Sequence, residues 1–147
     1  MDGSEDGERR VDAETLRYLA GLFGQRREIA GTSLFPKNRQ ETLVVELDTA
    51  YYPEAIDSVR LEIRLYTNGE FHCSYLETYL GEQRQCRWDR HDQNHSSVDH
   101  FHPLPDASTA NAEDRTFPTD VTAHLETVVL PWVDERLGII WEESDNP

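Results

Sequence analysis

Lysine is almost missing from this chain: of 14 basic residues only Lys37 is a lysine, and the others are arginines. Cysteine is scarce as well. Two cysteines in 147 residues, Cys73 and Cys86, with no CxxC spacing, exclude a disulfide framework, and both thiols are expected to be reduced and buried. No apolar run approaches the length needed to span a bilayer. Residues 1–10 are polar and acidic, without the apolar stretch of a signal peptide, so a cytoplasmic protein away from membranes is expected. There is no glycine-rich phosphate loop, no GxSxG and no cysteine nucleophile beside the histidines of residues 88–103.

What the chain has in excess is acid. Asp and Glu number 29 against those 14 bases, a formal net charge of -15. In dilute buffer such a charge repels itself. In molar salt the Debye length falls to about 3 Å and the repulsion is screened. Acids spread along the whole chain, with lysine nearly lost, read as adaptation to a salt-loaded cytoplasm. The same charge rules out nucleic-acid binding through bulk electrostatics and leaves only local contacts. Hydrophobic residues reach 37%, which is low, but aromatics at 10% can anchor a modest core of one domain.

Residues 1–10 are expected to form a disordered acidic tail and residues 11–147 a single α+β domain. Asp12 can cap a helix whose Leu16, Leu19, Ala20 and Phe23 share one face, with Gly21 and Gly24 weakening its end. Residues 25–40 read as loop. The middle reads as an antiparallel β-meander of about four to five strands, with an N-terminal and a C-terminal helix packed on it. Strands are expected over residues 42–49, 58–67, 70–80 and 83–90, with turns at Asn68-Gly69 and Gly81-Glu82. Two-residue turns would set Leu65 opposite His72, Ile63 opposite Ser74, His72 opposite His91 and Ser74 opposite Asp89. One face would then carry Phe71, Cys73, Tyr75, Cys86 and Trp88. The other would carry Leu61, Ile63 and Leu65 beside His72, Arg87, Asp89 and His91. In that register the two cysteines are four positions out of pair.

After a short extended piece near residues 99–104, residues 105–115 look polar and mobile. A helix starts at Thr119 or Asp120 with Val121, Leu125, Val128, Val129, Trp132 and Val133 as its stripe. Pro131 should kink it and Gly138 should stop it, with Ile139, Ile140 and Trp141 packing back.

One stretch carries chemistry. Residues 88–103 hold His91, His95, His100 and His102, with Asp89, Asp92 and Asp99 among them. Imidazole and carboxylate together suit a divalent metal ion, the cofactor this set would take. They equally suit acid–base work near neutral pH. His100 and His102 alternate on a strand and point the same way, so a metal set of His95, His100 and His102 can be drawn. It matches no HExxH-type signature, and a polar loop of solvated histidines fits the pattern equally well. Arg84, Arg87 and Arg90, near Arg60 and Arg64, form a local basic patch suited to phosphate, unless they pair with Glu62, Glu77 and Glu82. His72 and His91, taken singly, read as structural, and so does His124.

Arg87-Trp88-Asp89, then His95, then His100-Phe101-His102-Pro103 resemble the TumE-like family of toxin–antitoxin toxins. Those proteins share a small meander that ends in an aromatic–Asp step, a histidine, and a Pro-His-x-His-like end. The likeness runs from the second hairpin through the C-terminal helix, about half the chain. It departs at Arg90, where an asparagine is expected, and at Pro103, which follows the histidine pair instead of preceding it. The resemblance implies a toxin role with a cognate antitoxin as partner, and the His, Asp and Arg set points to RNA phosphodiester cleavage as the reaction. Asp89, His95, His100 and His102 would be the catalytic group, with Arg87 and Arg90 binding substrate. A non-catalytic metal- or partner-binding module is the alternative, as are histidines that merely fix a long loop. Oligomeric state is left open, a homodimer included.

Overall fold

The computed structural model describes residues 10–91 and 99–145. Apart from Arg10, the tail expected over residues 1–10 lies outside them, and so do Asp92 and His95. The described residues form one antiparallel sheet of seven strands in sequential order. The strands are β1 (Ile29–Phe35), β2 (Thr42–Leu47), β3 (Ile56–Leu65), β4 (Phe71–Tyr79), β5 (Glu82–Arg90), β6 (Asp99–His102) and β7 (Glu113–Arg115). The expected four to five strands were too few. Both additions lie at sheet edges, where one or both faces are wet and apolar alternation is weak: IAGTSLF in β1 and three exposed charged residues in β7.

Helix α1 (Ala13–Phe23) opens the fold. Asp12 caps it by accepting from the Thr15 backbone N–H at 3.1 Å, and Leu16, Leu19 and Phe23 face the core. Behind β7, Asp120 caps α2 (Val121–His124), which runs through a π-helical turn, Leu125–Val129, into α3 (Leu130–Asp145). The π turn answers the disturbance expected at Pro131. Proline has no N–H for the Thr127 carbonyl, and its ring would crowd that oxygen. The wider turn, with Leu130 N–H reaching Leu125 O, absorbs the strain. Gly138 does not stop the helix, which continues to Asp145. Ile140 is buried there, while Ile139 and Trp141 are 42% and 43% exposed, Trp141 still donating through Nε1 to Tyr51 O at 2.9 Å.

The register also differs from the two-residue reading. Leu65 lies opposite Phe71, Ile63 opposite Cys73 and Arg64 opposite His72. The first turn has three residues. Gly69 N–H bonds Tyr66 O and Tyr66 N–H bonds Glu70 O, each at 3.0 Å, with Gly69 at φ 96 as the left-handed bulge residue. That extra residue moves Leu61, Ile63 and Leu65 to the other face, beside Phe71, Cys73 and Tyr75. The second turn centres on Leu80-Gly81, not Gly81-Glu82, with both at positive φ as its type demands. His72 therefore lies opposite Asp89, and Ser74 opposite Arg87.

With parity corrected, one face is mainly apolar, its charged groups paired. Leu43, Val45, Leu61, Ile63, Leu65, Phe71, Tyr75, Trp88 and Phe101 are buried there with the apolar sides of the helices. Trp132 meets Tyr75, Trp88 and Phe101 with ring centroids 4.9, 5.3 and 6.4 Å away. Cys73 faces Trp88 and Cys86 faces Tyr75, so the thiols are two positions out of pair; both are free and buried. Burial pushes both thiols up, so neither is a nucleophile at neutral pH.

Two buried polar groups tie the C-terminal helix to this face. Glu77, fully buried, takes Arg136 Nε at 3.0 Å and Nη2 at 2.7 Å, and Tyr75 OH at 2.5 Å. Arg84 Nε also lies 2.5 Å from Glu77 Oε2, so removing the Arg136 guanidinium takes one of the carboxylate's two cations and two of its hydrogen bonds. Arg136→Met is expected to lower unfolding free energy by about 1.5–3 kcal/mol in chemical denaturation. His124 packs against Phe117 and Phe71 with centroids 4.5 and 4.8 Å away, and among the described residues neither ring nitrogen has a hydrogen-bond partner. Burial, helped by Arg90 and opposed by Asp99, pushes its pKa down from 6.5 to about 4. The unfolded chain then binds a proton that the folded chain refuses, so this contribution is complete above about pH 6.5 and is lost toward pH 4. Melting temperature should fall across that window, and His124→Leu should flatten the fall, by an amount on the order of 3 kcal/mol.

Candidate active site

The three-residue turn that buries Leu61, Ile63 and Leu65 turns the alternate positions to the opposite face. Cross-strand pairing lines up Arg64, His72, Asp89, His100 and Asp114 in one row across β3 to β7. The neighbouring row reads Glu62, Ser74, Arg87 and His102. Two strands of charged and imidazole side chains therefore meet without any apolar residue between them.

Asp89 is the centre. It is 2% exposed, and a buried carboxylate costs several kcal/mol unless its oxygens are paired. Oδ1 accepts from His72 Nδ1 at 2.8 Å and Oδ2 accepts from Arg87 Nε at 2.7 Å. Burial alone would raise the carboxyl's pKa. The hydrogen bonds from His72 and Arg87 outweigh it and hold Asp89 below the ordinary carboxylate range. An ionised carboxylate only accepts, so the network places the His72 proton on Nδ1 and leaves Nε2 as a base. His102 Nε2 lies 3.1 Å from Asp89 Oδ2 but off the line of a hydrogen bond. This ring is 5% exposed, and among the described residues neither of its nitrogens has a hydrogen-bond partner.

The imidazoles form a chain. Ring centroids are 6.1 Å from Tyr66 to His72, 5.8 Å from His72 to His91, 5.7 Å from His91 to His100 and 6.5 Å from His100 to His102. Arg64, Tyr66, His72, Arg87, His91 and Thr109 wall a concavity of about 480 Å³, with Asp89 and His102 as its most buried lining. A more apolar hollow of about 360 Å³, between Tyr51, Tyr52, Leu130 and Leu137, gathers no imidazole.

Of the residues expected from sequence, Asp89, His102 and Arg87 meet in this concavity. His100 sits at its edge, 28% exposed at the side chain, with Nδ1 3.1 Å from Asp114. His95 lies outside the described residues. Arg90 is not brought to this face. It projects to the opposite side, where Nε and Nη2 grip Asp99 at 2.7 and 2.9 Å and Nη2 reaches Phe117 O at 2.9 Å. Its plane lies over Phe71 at 5.3 Å, so it is a structural clasp. His72, read singly as structural, hydrogen-bonds Asp89 and lines the concavity. A turn centred on Leu80-Gly81 was the signal that would have placed it opposite Asp89. As for a metal, no three His, Cys, Asp or Glu among the described residues are arranged to hold an ion. His100 and His102 do share a face, but His100 is turned to Asp114.

The chain is thus a small α+β protein with a buried Asp–His pair flanked by arginine on the open face of a helix-backed antiparallel sheet. Residues 19–137 match the family model described as Toxin TumE, and the chain belongs to that toxin family. The match reaches well before the second hairpin, so much of the N-terminal region also has a counterpart in the family. No curated protein and no solved structure matches the chain. Among the described residues no helix is long and apolar enough to cross a membrane.

The orienting role of Asp89 can be read directly. Asn in its place can donate to His72 Nδ1 and favour the other tautomer. Nitrogen and carbon NMR shifts of His72 above pH 8 should report the Nδ1–H form in the native chain and a move toward Nε2–H in Asp89→Asn. Identical shifts in both would remove Asp89 as the orienting group.

Proposed function

We propose that this chain is the toxin of a toxin–antitoxin pair and that it cleaves RNA at the Asp89 face. The observation that carries the reading is one buried carboxylate that orients His72 and abuts His102 inside a single concavity. Membership of a toxin family supplies the biological role.

In this mechanism His72 Nε2 takes the proton from a ribose 2′-hydroxyl, and the 2′-oxygen attacks the adjacent phosphorus. Negative charge grows on the phosphorane oxygens, where the Arg87 guanidinium, held through Nε by Asp89, stabilises it. The bond to the 5′-oxygen breaks, and His102, entering the step protonated, returns a proton to that leaving oxygen. The products are a 2′,3′-cyclic phosphate and a free 5′-hydroxyl. His100 stands next to His102 and helps gather the substrate at the edge. His95, from the segment joining β5 to β6, stays in the proposal as a further imidazole of the site. A small antitoxin is the partner, and a salt-rich cytoplasm suits the net charge of -15.

Induction of the native gene in a halophilic host is expected to arrest growth and to leave RNA ends carrying cyclic phosphate. His72→Ala with His102→Ala, expressed to the same level, should grow normally, and coexpression of the adjacent antitoxin should rescue the native strain. Equal growth of native and doubly substituted strains would end the toxin reading.

A further inference from the structure

We infer that the site takes unpaired RNA, one nucleotide of which enters the concavity with its phosphate held between Arg64 and Arg87. The inference rests on the RNA-directed reading above and deepens it to a substrate class and a further binding residue, Arg64.

Three observations converge. The first is burial of the reacting groups. An open recess of about 480 Å³ falls in the range of small-ligand pockets, about 300–1,000 Å³. Asp89 and His102, which the chemistry needs, are its most buried lining. In a duplex the bases are stacked and the backbone is held on a regular helix, so reaching buried groups requires a nucleotide to be splayed out. Single strands do this at little cost.

The second is an unmet demand. Both ring nitrogens of His102 are buried without a hydrogen-bond partner among the described residues. A buried unsatisfied imidazole is costly, and unlike the core ring of His124 this one borders the recess, with Nε2 3.1 Å from Asp89 Oδ2. A phosphate oxygen is an acceptor of the right kind for a protonated ring.

The third is the pair of guanidiniums. Arg64 donates through Nε to Thr42 Oγ1 at 3.0 Å, and Arg87 donates through Nε to Asp89 Oδ2 at 2.7 Å. Each is thereby anchored by its inner nitrogen, and among the described residues the terminal nitrogens of both are left for a ligand. Two forks with outer donors match the two non-bridging oxygens of a phosphodiester. The lining carries these two cations against the single carboxylate of Asp89, in a chain where acids outnumber bases 29 to 14. Tyr66 and His91, set edge-on to His72 at 6.1 and 5.8 Å, add ring faces for a base.

The test is fluorescence anisotropy with a 2′-fluoro oligonucleotide, which cannot form the cyclic phosphate, offered as a single strand and as a duplex with its complement. The single strand should bind at least about tenfold more tightly. Arg64→Gln should weaken single-strand binding about tenfold and reduce the slope of log affinity against log salt by about 0.7. Arg60→Gln, on the same strand but paired with Glu62, should change neither. Equal affinity for duplex and single strand, no binding of either, or identical behaviour of the two arginine variants would overturn the inference. Cleavage is judged separately, by cyclic phosphate ends on natural RNA. Binding as described without such ends would sink the mechanism and leave this substrate class standing.

Discussion

Asp89 keeps its charge inside the protein only because His72 and Arg87 come to it from the adjacent strand and from its own. That triple contact couples the fold to the chemistry. Strand pairing brings the donors, the donors keep the carboxylate ionised, and the ionised carboxylate dictates which nitrogen of His72 holds a proton. Loosening any of the three would leave a charge in a place that water does not reach.

The opposite face obeys the same parity for another reason. Each inward side chain of β3 to β6 is apolar or, at Glu77, Arg90 and Asp99, locked into an ion pair. The helices therefore rest on a surface that needs nothing from solvent. The polar face, relieved of supporting the helices, can concentrate titratable groups that would be intolerable in a core. Division of labour between the two sides of one sheet thus answers how a chain with 37% hydrophobic residues both folds and keeps a reactive surface.

Much of this was legible in the residues. Asp12 as a cap, the stripe of Leu16, Leu19 and Phe23, and the inward set Phe71, Cys73, Tyr75, Cys86 and Trp88 follow from propensity and alternation. Asp89, His102 and Arg87 stood out by chemical type. What did not show was parity across turns. Tyr66 to Glu70 can close as a two-residue or a three-residue loop, and only the second puts Leu65 opposite Phe71; the second turn, at Leu80-Gly81 and not Gly81-Glu82, puts His72 opposite Asp89. Local sequence favoured Asn-Gly, while burial of Leu61, Ile63 and Leu65 decided the other way. Arg90 was misplaced because adjacent strand residues look alike in a list of types yet face opposite sides. The edge strands β1 and β7 escaped notice because an edge asks for little apolar alternation.

The Arg90–Asp99 clasp has a consequence for how this scaffold can vary. It joins the last residue of β5 to the first of β6, so it closes the neck of the intervening segment independently of what lies beyond. Lengthening such a tethered segment costs only about 0.6 kcal/mol per doubling of its residues. Insertions there would leave the Asp89 row undisturbed, making the neck a hinge of evolutionary tolerance beside a floor that admits almost none.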